Sequence, residues 1–243
     1  MDTMTALALN IMQRARAENV VLKALGGVAV SLLCTEVYEL YPNLRRAPAD
    51  IDLAGVSEDS GRIETIAAGF GFKPCAEFNF VNSGERMKFL RDEVRLDIFL
   101  DRFRMCHTWS LRDRLSEGSD WTLPLGDILL TKLQVVRPAD TDLQDLAALL
   151  VVVETSAGAV QKEAISYVAH LASRDWGLQY TCALRISDVC RWATGHKERD
   201  LSDVVARRAS LLSRVVESWP KALCWRLRAI LGSRLRWYAE PET

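Results

Sequence analysis

With 243 residues, 49% of them hydrophobic and 26% charged, the chain has the make-up of a globular protein with a sizeable core, in one large domain or two modest ones. No apolar run approaches the roughly 18–20 residues that a membrane span needs, and the start MDTMTALALNIMQRARAENV lacks the layout of a secretory signal, so a cytoplasmic protein with no membrane partner is expected. The net charge of −1 hides an asymmetry: 17 Lys and Arg against 23 Asp and Glu before Ser156, and 14 against 9 from there on.

In chain order, about Thr5 to Glu18 reads as a helix, and the apolar run Val20 to Leu25 as a strand that stops at Gly26-Gly27. Val28 to Leu40 reads as a helix, Ile51 to Val56 as a second strand and Gly61 to Phe70 as a helix. Glu77 to Asn82 and Arg86 to Arg91 read as a hairpin around Asn82-Ser83-Gly84-Glu85, with Val94 to Leu100 a further strand. The order α-β-α-β-α-β-β-β predicts a mixed sheet with helices packed on it. After Trp121 the pattern turns helical: Leu125 to Val136, Asp140 to Glu154, then several more up to Trp237, with breaks near Ser156-Gly158, Gly195 and Pro220. The predicted class is α/β (α+β), a sheet domain over residues 1–122 followed by an all-helical C-terminal domain over 123–243. Six scattered cysteines form no C-x-x-C pair, so neither a zinc site nor a disulfide framework is suggested and they read as buried thiols.

Asp50-Ile51-Asp52 puts two carboxylates on one face of a strand, with Ile51 and Leu53 on the other. Adjacent carboxylates repel and lose hydration unless a cation neutralises them. In Val94 to Leu100 the apolar Leu96, Ile98 and Leu100 take one face and leave Asp97 on the opposite one. If the two strands are neighbours, Asp50, Asp52 and Asp97 converge into the oxygen-rich cage that Mg²⁺ prefers, where two ions can clamp an in-line phosphoryl transfer. Gly26-Gly27, between strand and helix, lets backbone N–H groups and the helix dipole approach a triphosphate.

Gly26-Gly27, Asp50-Ile51-Asp52 and Asp97, in that order, resemble the pattern of nucleotidyltransferases of the DNA polymerase beta type. The stretch Leu129 to Leu146, with Lys132, Arg137, Asp142 and Asp145, is similar to the helix pair of abortive-infection (AbiEii-like) minor nucleotidyltransferases, which include toxins of type IV toxin–antitoxin systems. The resemblance spans about Leu22 to Leu150 and implies a nucleotidyltransferase fold that moves a nucleoside monophosphate from an NTP to a hydroxyl and releases pyrophosphate. Asp50, Asp52 and Asp97 would hold two Mg²⁺ ions, with Asp97 also helping to deprotonate the acceptor. Gly26 and Gly27 would cradle the triphosphate, Lys132 would neutralise phosphate charge, and Asp142 or Asp145 would position Lys132 and Arg137 or the acceptor. Gly27 stands where the family often has serine. The acceptor is RNA or tRNA, a protein side chain, or a small hydroxylated molecule such as an antibiotic, and a toxin would have an antitoxin partner. Between Val204 and Tyr238 Glu217 is the single acid among eight basic residues, which favours RNA.

Other signals weigh less. Arg45 and Arg46 reach the triphosphate or acceptor, or are solvated loop residues. Asp140 reads as an acid complementing a helix dipole. His107, His170 and His196 have no adjacent Asp and no H-x-x-x-H, Asp175-Trp176-Gly177 reads as a helix start, and Trp219, Trp225 and Trp237 as core. Two competing classes remain: an inactive nucleotide- or RNA-binding protein on the same fold, and a Mg²⁺-dependent nuclease, which accounts for the acids but not for the glycine turn.

Overall fold

A computed structural model describes residues 1–156, 158–196 and 200–240. The chain divides into two compact units, one of residues 1–32, 46–104 and 108–124, the other of 33–45, 105–107 and 125–243. Among the described residues no helix is long and apolar enough to cross a membrane.

The first unit is built on a five-stranded mixed sheet. Its strands are β1 (Lys23–Leu25), β2 (Ile51–Gly55), β3 (Lys73–Pro74), β4 (Arg86–Arg91) and β5 (Val94–Leu100), in the spatial order β1-β2-β5-β4-β3. β2 and β5 run parallel and the other neighbours antiparallel. Alternation along the central strands separates two faces. Ile51 and Leu53 of β2, Leu96, Ile98 and Leu100 of β5, and Met87 and Phe89 of β4 are buried with Ile11 and Met12 of α1 (Thr3–Ala17) and Ile63 and Ile66 of α4 (Ser60–Gly69), and form the core. The other face carries Asp52, Arg95, Asp97, Arg86 and Lys88. After β1 comes α2 (Gly26–Leu33), and a two-stranded ribbon, β6 (Arg102–Arg104) and β7 (Thr108–Ser110), stacks Phe103 between Phe99 and Trp109.

Two expectations are corrected. The segment predicted as the first strand of a hairpin is helical, α5 (Ala76–Val81). The outer edge of β4 is already taken by Lys73 and Pro74, so the following residues have no strand to pair with. The true hairpin joins β4 to β5 across Asp92 and Glu93, with Arg91 opposite Val94 and Asp92 at φ +52°. The long helix predicted over Val28 to Leu40 breaks into α2 and α3 (Val37–Leu40).

The second unit is helical: α3, α6 (Leu125–Leu133), α7 (Asp140–Thr155), α8 (Gly158–Ala172), α9 (Trp176–Thr194), α10 (Leu201–Ser218) and α11 (Leu223–Leu231). Ala157, inside one predicted break, lies outside the described residues. Asp175 does start a helix: it is the N-cap of α9, its carboxylate accepting from the Leu178 N–H at 3.1 Å. Cys34, Cys106 and Cys182 are buried as expected, and burial pushes the Cys182 thiol up to about 12; Cys224, by contrast, is exposed. None of the three tryptophans read as core is fully buried.

Candidate functional site

The register of β2 on β5 places Asp52 opposite Asp97, and β4 continues the row with Lys88 opposite Asp97. Paired residues on neighbouring strands project to the same face, and Asp50, in the bend just ahead of β2, is brought to that face by its contact with Arg95 of β5. The three predicted acids thus share one end of one sheet face, with their apolar neighbours Ile51, Leu53, Leu96 and Ile98 locked into the core on the other side.

Two of the three acids are held by arginines. The Arg95 guanidinium lies 2.9 Å from Asp50 Oδ2, and the Arg86 guanidinium 3.1 Å from Asp97 Oδ1. Arg86 is packed over the rings of Phe78 (5.5 Å) and Phe99 (4.6 Å), and the Lys88 ammonium lies 4.1 Å from the centre of Phe78. Asp97 is buried, and burial raises its pKa above the ordinary carboxylate value against the pull of Arg86 and Lys88. A group of that kind is a better proton acceptor near neutral pH than an ordinary aspartate. Sequence reasoning missed Arg86, Lys88 and Arg95 as part of this face; the alternation in Arg86-Met87-Lys88-Phe89 is the signal that points to them.

Gly26 backs directly onto Asp52. It adopts φ +56°, and a Cβ built on it would lie 2.1 Å from Asp52 Oδ2. Only glycine lets the start of α2 come this close to the carboxylate. Gly27 is different in kind: a Cβ there would stand 3.3 Å from the Arg46 guanidinium and 3.3 Å from the Pro48 side chain. Arg46 therefore flanks the glycine turn, whereas Arg45 stacks over Tyr38 at 5.6 Å.

As a metal site, the donor set is chemically right for Mg²⁺, all carboxylate oxygen on one face. Yet among the described residues no group of three or more His, Cys, Asp and Glu side chains is drawn together to hold a metal ion. Asp50 and Asp97 are turned to their arginines, so joint coordination with Asp52 needs the exposed Arg95 to release Asp50.

The remaining predicted residues lie in the helical unit. Lys132 is buried on α6, its ammonium 3.0 Å from Asp142 and 2.9 Å from Asp145 of α7. Burial works against its charge, but Asp145 and Asp142 outweigh it and its pKa lies above the ordinary lysine value. Asp142 also accepts from the backbone N–H of Ala139 at 3.1 Å, which ties the start of α7 to α6. Arg137 is exposed on the connection between these helices, whose Val135 and Val136 carbonyls both accept from the buried Arg185 at 3.0 Å. Asp140 accepts from the Trp192 indole at 2.7 Å. His107, solitary in sequence, is not so in space: Nδ1 lies 3.6 Å from Asp175 and Nε2 2.9 Å from the Thr181 hydroxyl, which also accepts from the Trp237 indole. Thr181 is fully buried, so this cluster is structural.

No protein-family model matches the chain, and no curated protein is similar to it at a significant level. Among solved structures it is similar to the antibiotic-resistance factor ANT(2'')-Ia, whose solution structure reveals substrate-regulated conformation dynamics; the match has 14% identity and a TM-score of 0.43 over 68% of this chain and 90% of that one.

Proposed function

We propose that the chain is a nucleotidyltransferase that moves a nucleoside monophosphate from an NTP to a hydroxyl acceptor. The observation that carries this reading is the register of Asp52 against Asp97 on parallel neighbouring strands, with Asp50 on the same face and the turn at Gly26 pressed against Asp52. In the reaction the acceptor oxygen bonds to the α-phosphorus, its proton passes to Asp97, and the bond to the bridging oxygen breaks to release pyrophosphate. Asp50, Asp52 and Asp97 would hold Mg²⁺, which would neutralise phosphate charge when bound. Gly26 and Gly27 open the start of α2 to the triphosphate, and Arg46 beside Gly27 adds a cation there. In the helical unit Lys132, paired with Asp142 and Asp145, holds α6 to α7, and the exposed Arg137 on the connection between them is the cation of that group open to a phosphate. The acceptor is an RNA, a protein side chain or a small hydroxylated molecule, and a role as toxin would bring an antitoxin partner.

One observation favours a second reading. With Asp50 and Asp97 each paired to arginine and no three-acid cluster assembled among the described residues, the face also suits a nucleotide- or RNA-binding protein that does not turn over. Purified protein incubated with Mg²⁺ and each α-labelled NTP separates the two. Transfer of label to RNA, protein or a small acceptor, abolished by Asp52→Asn, is the expected result. NTP binding without transfer leaves the binding protein standing, and failure to bind any NTP with Mg²⁺ overturns both.

A further inference from the structure

Helix α11 buries none of its nine residues. Leu223, Leu227 and Ile230 are 73%, 60% and 77% exposed, and Leu231 and the nearby Leu235 46% and 54%. Positions 223, 227, 230 and 231 recur at i, i+4, i+7 and i+8, so the aliphatic side chains form a single stripe about 13 Å long. Other sides of the helix attach it to its unit. The Ala222 N–H donates to the Ser173 carbonyl at 3.0 Å, Cys224 Sγ lies 3.3 Å from the Arg174 carbonyl, and Arg228 stacks over Trp176 at 5.0 Å while donating to the Gly232 carbonyl at 2.7 Å. The helix is anchored with its apolar stripe facing outward.

The charge next to that stripe is mainly positive. From Trp219 to Ala239 the chain carries Lys221, Arg226, Arg228, Arg234 and Arg236, with the acids Glu217 and Glu240 on either side and Glu240 paired with Arg236. Arg226 and Arg234 are exposed, and Trp225, Trp237 and Tyr238 are half-buried in the same segment. A second copy of this face would bring like charges together. A helical peptide needs a groove to lie in, and α11 is a ridge. Single-stranded nucleic acid stacks on aromatic rings, but Trp237 is engaged with Tyr180 and Thr181, and a nucleic acid would leave the aliphatic stripe in water. An anionic lipid surface accepts both components, the aliphatic stripe below the headgroups and the guanidinium groups at the phosphates, with aromatic rings at the boundary.

We infer that α11 docks the protein on an anionic phospholipid surface, lying in the interface rather than crossing it. Leu223, Leu227, Ile230 and Leu231 enter the headgroup–acyl boundary, and Arg226 and Arg234 contact lipid phosphate. The test is flotation of the full chain with vesicles of phosphatidylcholine mixed with phosphatidylglycerol, against vesicles of phosphatidylcholine alone. Binding to the mixed vesicles is expected to exceed binding to the neutral ones at least roughly tenfold and to be largely released at about 0.5 M salt. Leu227→Asp with Ile230→Asp, at exposed positions, should lower binding by roughly tenfold or more with an unchanged melting curve. Should that variant fold poorly, Arg226→Gln with Arg234→Gln must still lose the preference for anionic vesicles. The inference is overturned if the unaltered protein does not float with anionic vesicles, or if Leu227→Asp with Ile230→Asp merely turns a dimer into a monomer. NTP transfer does not enter these readouts, so they stand apart from the proposed activity.

Discussion

Gly26 and Gly27 are adjacent and alike in sequence, but they bear different constraints. Gly26 has a left-handed backbone and meets Asp52 where a Cβ would sit; Gly27 has an ordinary backbone, and a Cβ there would press at 3.3 Å on a flexible guanidinium and a proline ring, which need give by only a few tenths of an ångström. Gly26→Ala is expected to cost about 2 kcal/mol, from the left-handed conformation and from displacing the carboxylate, and to abolish the NTP transfer proposed above. Gly27→Ala should cost less than about 1 kcal/mol. Urea titration of the two variants checks this, and equal losses would refute the assigned geometry. Lys132 offers a second test. Lys132→Met leaves the buried Asp145 and the half-buried Asp142 around an apolar side chain, at a cost of about 3 kcal/mol; chemical denaturation reads the loss, and Lys132→Met with Asp145→Asn should recover part of it. The face that each acid takes on its own strand was legible because alternation is a local rule, whereas the pairing of β2 with β5 that brings Asp97 beside Asp52 came only from the folded chain. The burial of Lys132 was not: every residue of α6 is buried, so its sequence has no solvent face against which a periodic pattern would stand out.

At the level of elements, α5 and α9 show what local signals do and do not carry. Glu77 to Asn82 has the aromatic content of a strand, but the edge it would need belongs to β3, and helix formation puts Phe78 under Arg86 and Lys88 while Phe80 points to solvent. Pairing partners are a tertiary property, and no window of six residues contains them. The start of α9 was legible because capping is local. Burial raises the pKa of Asp175, but His107 and the Leu178 N–H outweigh it and hold the carboxyl below its ordinary value. The ionised form is thus favoured in the folded chain, and the stability it contributes is fully present above the ordinary carboxylate range and lost as pH falls through the lowered pKa. Asp175→Asn, which keeps the cap but not the charge, should be less stable than the parent near neutral pH and converge with it in acid, as pH falls below the ordinary carboxylate range. Thermal melts across that range measure the convergence. A gap that persists undiminished into acid would refute the role of the charge.

For the whole molecule, the division into units is not a single cut. Residues 33–45 and 105–107 belong with the helical unit although they lie inside the stretch that reads as sheet domain, and only the folded chain reveals such an assignment. Charge is the global property that sequence does state. A chain of net charge −1, acidic before Ser156 and basic after it, has little overall repulsion between copies and two oppositely charged halves to attract one another. Apparent mass by light scattering at pH 7 is expected to fall as salt rises from about 0.02 M to about 0.3 M. A mass that is insensitive to salt would mean the halves do not meet between molecules.

The parallel pairing of β2 with β5 has a further consequence. Asp52 and Asp97 meet across hydrogen bonds between strands, so the chain that runs from one to the other can lengthen or shorten without moving either carboxylate. The closure cost of a longer excursion grows only with the logarithm of its length. Insertions at the exposed turn Ser83-Gly84, clear of the α4 and α5 packing, are therefore cheap at the acids themselves. Chains that share this face can differ in the interval between the two acids and keep the same strand register.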